Sequence, residues 1–459
     1  MQALEIKQTL NKLMQVIEDY LLANDHAQTA VLNYRPAHLL KEDLNLEIGA
    51  SGIPLNDLFA DIELYLKNSV RTSHPLYFNQ LNGGLQLPSF IGDIISALSN
   101  TTMATYEVSP VASLMEKELI KKVNYAIGWE MGEGIMTSGG SNSNLQALLC
   151  ARQKFFPEFK AEGLSNAKLA VFVSSQAHYS FGKALNILGF GTSNLFLVEA
   201  DEQGRMIPEA LKSAISGARI KGYLPLFIGA TSGTTVYGAF DPLQAIAKIA
   251  REENLWLHVD GAWGGIVLFS EKYRQLIAGV DRADSFCWDA HKTLGAPLMS
   301  SFFTTKHKGI LKDTNGLETG GEYIFHGYAD EVLDSGTQSL QCGRRVDALK
   351  VWLLWKFYGD QGLDDFIDSR FALAKYATET IINHPELELL HQPEYLNICF
   401  IVKNFDTKEL RKKLIQEGKT MVNYSHGPNG ERFFRLVVHN SQTSKESLDQ
   451  FFNLLTNQN

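Results

Sequence analysis

Six short apolar runs recur through the middle of the chain: KLAVFVSS (168–175), NLFLVEA (194–200), YLPLFIGAT (223–231), LWLHVD (255–260), DSFCWD (284–289) and MSSFFTT (299–305). They lack the polar–apolar alternation of a half-buried strand, so strands built from them must be covered on both faces. Helix-like stretches such as PLQAIAKIAREEN (242–254) separate several of them. Apolar strands alternating with helices leave little choice of architecture. They imply an α/β fold with a largely parallel sheet between layers of helices.

That pattern spans residues 71–345, expected as one large domain. Residues 1–70 read as helices with few strand signals. The first, MQALEIKQTLNKLMQVIEDYLL, puts Ile6, Leu10, Leu13, Ile17 and Leu21 on one face, a stripe that needs either the main body or a second subunit as its partner. Charges interrupt this stretch throughout, so it is expected to be neither a signal peptide nor a membrane span. Residues 346–459 read as two or more helices, then strand-like LNICFIV (396–402) and RFFRLVVHN (432–440), then an amphipathic helix. That composition predicts a smaller α+β domain. The net charge of −9 argues against a nucleic-acid partner, which needs a basic face, but a local arginine can still hold a small anion. Cys150, Cys287, Cys342 and Cys399 lie far apart with no CxxC pair, as buried reduced thiols would. No metal site and no membrane contact are expected, and the protein is expected to be cytoplasmic.

In open parallel sheets, functional groups collect at the carboxyl ends of the strands. Five features stand there. LWLHVDGAWGG ends a strand on Asp260 with small residues Gly261 and Ala262 after it. SSQAHYSFGKA places His178 just past another strand, and ATSGTTVYGAFDP ends a third on Thr231. GIMTSGGSNSNLQALLCAR runs glycines and hydroxyls into an apolar helix from about Asn144, where free amides and the positive helix end favour a phosphate. The GK[ST] of a Walker loop and GxGxxG are both absent, which argues against a nucleotide. The fifth feature is Lys292, beside His291, off the end of DSFCWD, where burying an ammonium is costly. Each alone has a bland reading, as a turn former, a loop histidine or a helix cap. Together they supply a phosphate cradle, an acid, a platform for a flat ring and a reactive amine, which is what a pyridoxal phosphate site requires.

The segments HPLYFNQLNGG, TYEVSPVASLMEKELIKKV, TSGGSNSNL, ATSGTTVYGAFDPL, HVDGAWGG, DSFCWDAHKTLGAPL, LQCGRRVDALKVWLLWK and RFFRLVV run from about 74 to 440. They resemble the group II pyridoxal-phosphate decarboxylases, in the glutamate / cysteine sulfinate / aspartate branch. The resemblance implies a fold type I (aspartate aminotransferase-like) enzyme with a mostly parallel seven-stranded sheet, working as a homodimer. It implies that Lys292 carries the cofactor covalently, that His291 sits near the phosphate and the reacting carboxylate, and that Asp260 pairs with the ring nitrogen. Ala262 would lie beneath the ring and His178 above it, with Thr231 near the ring or its phenolic oxygen. The amides of Ser141 and Asn142 and the Ser143 hydroxyl would hold the phosphate. Asp289, where asparagine is common, puts an extra carboxylate beside the cofactor.

The implied reaction is α-decarboxylation of a small acidic L-amino acid, with cysteine sulfinate or aspartate favoured over glutamate by the AHYS and QCGRRVD wording. A loop tyrosine returns a proton to Cα in similar enzymes; EYIFHGYADEV (322–332) offers Tyr323, with Tyr328 the alternative. Arg435 of RFFRLVV would hold the substrate's distal acid group, a task suited to a bidentate guanidinium, with Asn79 and Gln80 of FNQL and Thr102 adding pocket contacts. A fold-related aminotransferase or lyase, or a non-catalytic cofactor-binding homologue, would share part of this set. The contiguous His291-Lys292 pair and the GTTVYGAFD wording favour the decarboxylase.

Overall fold

The computed structural model describes residues 3–25, 29–44, 46–164, 166–316, 320–326, 333–427 and 430–457. Contacts divide the chain into two units. One comprises Leu85–Ala374 with His391–Asn397; the other comprises Met1–Gly84, Lys375–Leu390 and Ile398–Asn459.

The larger unit is built on a seven-stranded sheet. Its strands lie in the order Glu133–Thr137, Ser301–Thr305, Ser285–Asp289, Trp256–Asp260, Leu224–Thr231, Leu169–Ser174 and Leu195–Val198. Every apolar run read from the sequence is a strand here. The seventh, Glu133–Thr137, had no such run to announce it, because a glutamate and a glycine open it. Ser301–Thr305 runs antiparallel to both of its neighbours, and the five strands from Ser285–Asp289 to Leu195–Val198 in that order share one direction through parallel pairings. Two antiparallel steps restore the direction, so Glu133–Thr137 also ends at the same edge as Thr231, Asp260 and Asp289. All of LAVFVS is buried, as is all of SFCWD, which requires cover on both faces. The helix Gly140–Phe155 provides part of it, with Ala147, Leu148 and Ala151 packed in one core with Val171, Val173 and Phe227. Each large apolar side chain buried there contributes roughly 1.5–3 kcal/mol.

The smaller unit holds a five-stranded sheet. Tyr77–Phe78 pairs with Met421–His426, which pairs antiparallel with Arg432–Val437, and Asn397–Val402 and Leu387–Leu389 complete it. The pairing of Tyr77 with Met421 draws the N-terminal residues into the same unit as the C-terminal ones. The contacts therefore group the chain differently from a division at 70 and 345. The helical segment from 346 is broken at Gly359, whose φ of 65° no helix can continue through. The closing helix Lys445–Thr456 begins with a capping box at Ser444. Among the described residues, no helix is long and apolar enough to cross a membrane.

Candidate active site

The parallel strands deliver Thr231 and Asp260 side by side, in register, at one sheet edge. The next strand ends on Asp289, and the chain then turns through Ala290–Ser300 before returning as Ser301–Thr305. Lys292 stands on that turn. Its Nζ lies 3.1 Å from Asp289 Oδ2, and the side chain is 22% exposed. Burial works to lower its pKa, but the Asp289 and Asp260 charges outweigh it and hold the lysine above its ordinary value. Lys292 therefore sits in its place as a compensated ammonium, rather than as an amine with a depressed pKa. For Asp289, burial pushes upward, yet Lys292 and His291 hold the carboxyl below the usual range. The His291 Nε2 is 3.7 Å from the same carboxylate, and its Nδ1 accepts from the Ser300 amide at 3.0 Å.

Asp260 is held on both oxygens. Oδ2 accepts from the Asn144 amide at 2.7 Å, while Oδ1 accepts from the Ala262 amide at 3.1 Å and faces Cys287 Sγ at 3.5 Å. The same Asn144 nitrogen reaches Ser180 Oγ at 2.9 Å, fixing the start of the helix next to His178. The His178 Nδ1 accepts from the Ser180 amide, and burial lowers its pKa, so the ring stays neutral.

The glycine-rich turn is shaped by contact. The helix starts at Gly140, four residues ahead of the apolar pattern, because small and hydroxyl residues carry no periodic signal. Gly139 precedes it at φ 134°, a backbone open to glycine. A Cβ on Gly140 would lie 2.8 Å from the Ala262 Cβ and 3.1 Å from Asp289 Oδ2. The helix start, Ala262 and the strand end before the lysine turn thus meet at one point. The Asn142 and Ser143 amides turn back onto the Gly139 carbonyl, so Gly140 and Ser141 lie ahead of them at the open end of the helix. Ser143 Oγ is engaged with Thr137 Oγ1 at 2.7 Å. Three buried acceptors or hydroxyls here have no hydrogen-bond partner among the described residues: Thr231 Oγ1, Ser232 Oγ and Asp289 Oδ1. Buried polar atoms at a site without partners are what a polar ligand would satisfy, and the set fits pyridoxal phosphate.

Of the remaining sequence candidates, Thr102 bonds through Oγ1 with the Arg344 amide at 3.2 Å. Tyr323 is 78% exposed, and Tyr328 lies outside the described residues. Asn79, Gln80 and Arg435 belong to the smaller unit, where Arg435 Nη2 donates to the Asn79 carbonyl at 2.5 Å. Arg435 and Asn79 are buried, and Gln80 is exposed.

Sequence reasoning missed four residues around the site. Asn144 was read only as the start of a helix, and His258 only as part of a strand, although alternation puts it on the same face as Asp260. Glu116 and Arg344 form a buried bidentate pair at 2.6 and 2.9 Å. Arg344 also donates to the Met136 carbonyl, and Glu116 accepts from the Met136 amide, clamping the strand that leads into the cradle. No spacing rule would have joined residues 228 apart in sequence.

A lysine on the turn after a parallel strand, an aspartate at the neighbouring strand end and a glycine-led helix define a fold type I pyridoxal-phosphate enzyme. Comparison with known proteins narrows the class. Residues 36–403 match the pyridoxal-dependent decarboxylase conserved domain, and the chain belongs to that family. It is 38% identical over 460 residues to human cysteine sulfinic acid decarboxylase, covering 96% of this chain and 93% of that one. It is likewise 38% identical to bovine acidic amino acid decarboxylase GADL1, covering 95% and 87%. The crystal structure of mouse CSAD superposes with a TM-score of 0.95 at 37% identity, covering 99% and 98% of the two chains. A rice TDC structure with PLP and tryptamine shares the fold at a TM-score of 0.90 and 23% identity. The chain is thus a carboxy-lyase that uses pyridoxal phosphate.

Proposed function

We propose that this enzyme removes the α-carboxylate of a small acidic L-amino acid, with cysteine sulfinate or aspartate preferred and glutamate next. The observation that carries the reading is near-full-length similarity to relatives named for cysteine sulfinic acid and for acidic amino acids. Arg435 is a buried guanidinium, a group suited to recognising an acid.

Bound pyridoxal phosphate supplies an electron sink for the pair left at Cα when the carboxylate departs as CO2. The protein's residues do the rest. Lys292 presents the amine that anchors the cofactor, and Asp289 holds that amine in place as a cation until then. Asp260 would offer its fixed carboxylate to the ring nitrogen, and Ala262 and His178 would hold the ring from its two faces. Thr231 contributes a hydroxyl at the ring edge. Ser141, at the open end of the helix, would receive the phosphate with Asn142 and Ser143 in the turn behind it, and His291 would stand beside the departing carboxylate. Arg435, Asn79, Gln80 and Thr102 are assigned to the substrate, and Tyr323 to returning a proton to Cα.

The enzyme is further proposed to act as a homodimer in the cytoplasm. Leu4, Leu10 and Met14 are more than half exposed on the first helix, a surface that suits a second subunit. Among the described residues the cysteines are all free, in keeping with a reducing compartment. Competing cysteine sulfinate, aspartate and glutamate in one reaction and quantifying the three amines ranks kcat/KM directly. The proposal expects the first two to lead. Equal turnover of an aromatic amino acid would overturn it.

A further inference from the structure

A chain of buried hydrogen bonds leads away from Asp260 into the sheet. Trp256 Nε1 lies 2.8 Å from Ser285 Oγ, Ser285 Oγ lies 2.8 Å from His258 Nδ1, His258 Nε2 lies 2.9 Å from Asn144 Oδ1, and Asn144 Nδ2 lies 2.7 Å from Asp260 Oδ2. Its direction is fixed by chemistry at both ends. An indole N–H can only donate, and an ionised carboxylate can only accept. Asn144 must therefore turn its NH2 toward Asp260, which leaves its carbonyl oxygen facing His258. The imidazole has to donate from Nε2, so its Nδ1 accepts the Ser285 hydroxyl proton, and Ser285 accepts from Trp256. With a neutral imidazole, reversing any one bond sets two donors or two acceptors against each other.

We propose that Trp256, Ser285, His258 and Asn144 form a one-way relay that keeps Asp260 aimed as an acceptor and so keeps the cofactor's ring nitrogen protonated. His258 and Asn144 are positioning residues in this scheme, because they act through Asp260. The relay rests on the reading that Asp260 pairs with the ring nitrogen. Its surroundings match the task. His258 is fully buried, and Phe181, Phe227 and Phe303 surround it with ring centroids 6.4, 6.0 and 6.2 Å away. In that apolar cage burial pushes its pKa down to about 4, so it remains the neutral single donor the relay needs. Bonds in such a chain polarise one another, and low local dielectric strengthens the last of them.

The test uses holoenzyme reconstituted with pyridoxal phosphate labelled with 15N in the ring, read by NMR, alongside the cofactor dissociation constant. H258F fits the phenylalanine cage but removes the donor to Asn144. The ring-nitrogen resonance is expected to move toward the neutral-pyridine position, with cofactor binding about tenfold weaker, as for one weakened charge-assisted hydrogen bond. H258Q, whose amide can replace Nε2–H, is expected to restore both. S285A should give the same change in smaller measure, and it decides the matter if H258F does not fold. An unchanged resonance in S285A and in folded H258F would overturn the relay. D260N separates the two ideas: if it also leaves the resonance unchanged, Asp260 is not the ring partner and the underlying reading fails instead.

Discussion

The Asp289 carboxylate lies 3.1 Å from the Lys292 ammonium, three residues along the same turn. This pair explains how a lysine can occupy the end of an apolar strand before any cofactor arrives. The carboxylate is 2% exposed, so water does little to screen the attraction.

Asp289→Asn should therefore lower the Lys292 pKa, since the charge that raises it is gone. The cofactor-free protein should lose about 2 kcal/mol, below the roughly 3–5 kcal/mol of breaking a fully buried pair, because the lysine is part exposed. Because the neutral amine is the form that captures the cofactor, capture at neutral pH should quicken. Stopped-flow absorbance against pH checks this: a rate profile that does not move to lower pH contradicts the pairing.

Gly140→Ala should weaken cofactor retention with little effect on the rest of the fold. The added methyl would meet Ala262 and Asp289, and overpacking of this kind costs about 1–3 kcal/mol. Equilibrium dialysis of pyridoxal phosphate should show a dissociation constant raised about 10- to 100-fold. An unchanged constant would mean the helix start does not shape the cradle.

Glu116 is held below its ordinary value of 4.5: burial pushes it up, and the Arg344 charge and hydrogen bonds overcome that. The folded state thus binds the proton less readily than the unfolded one. The stability this contributes is present above the ordinary glutamate range and is lost as pH falls below it. Urea titrations from pH 7 to 3.5 should show that loss in the wild type. Glu116→Gln should be destabilised by about 3–5 kcal/mol at pH 7 and should lose less on acidification. An equally steep acid loss in the variant would assign it to other carboxylates.

Arg435→Gln should raise KM for acidic substrates about 10- to 100-fold, from the roughly 1.5–3 kcal/mol of a hydrogen bond to a charged group. The ranking of acidic over uncharged amino acids should shrink with it. Steady-state kinetics on both kinds of substrate, with circular dichroism as a fold control, measures this. An unchanged preference would remove Arg435 from substrate recognition.

Much of the larger unit was legible in the sequence, because most of its strands are buried on both faces and so are written as continuous apolar runs; the edge strand Leu195–Val198, with Leu197 exposed, is apolar without being covered in this way. Thr231, Asp260 and Lys292 were legible for the same reason, since each stands where such a run stops. The strand Glu133–Thr137 was not, because it opens on Glu133 and Gly134, which are neither apolar nor β-branched. The helix start at Gly140 was hidden by its small residues, which serve close approach rather than periodicity. The relay through His258 and the Glu116–Arg344 clamp depend on partners scattered along the chain, and only the folded backbone brings them together. The charge state of Lys292 was also out of reach, since the balance of burial against two carboxylates is set by distance.

The central claim is tested most directly by following labelled CO2 from carboxyl-labelled cysteine sulfinate and aspartate, with pyridoxal-phosphate-loaded wild type and Lys292→Ala side by side. The account predicts stoichiometric release of CO2 and amine by the wild type, and none by the variant, which remains folded. Release by the variant at the wild-type rate, or a wild type that releases CO2 only from basic or aromatic amino acids, would contradict it.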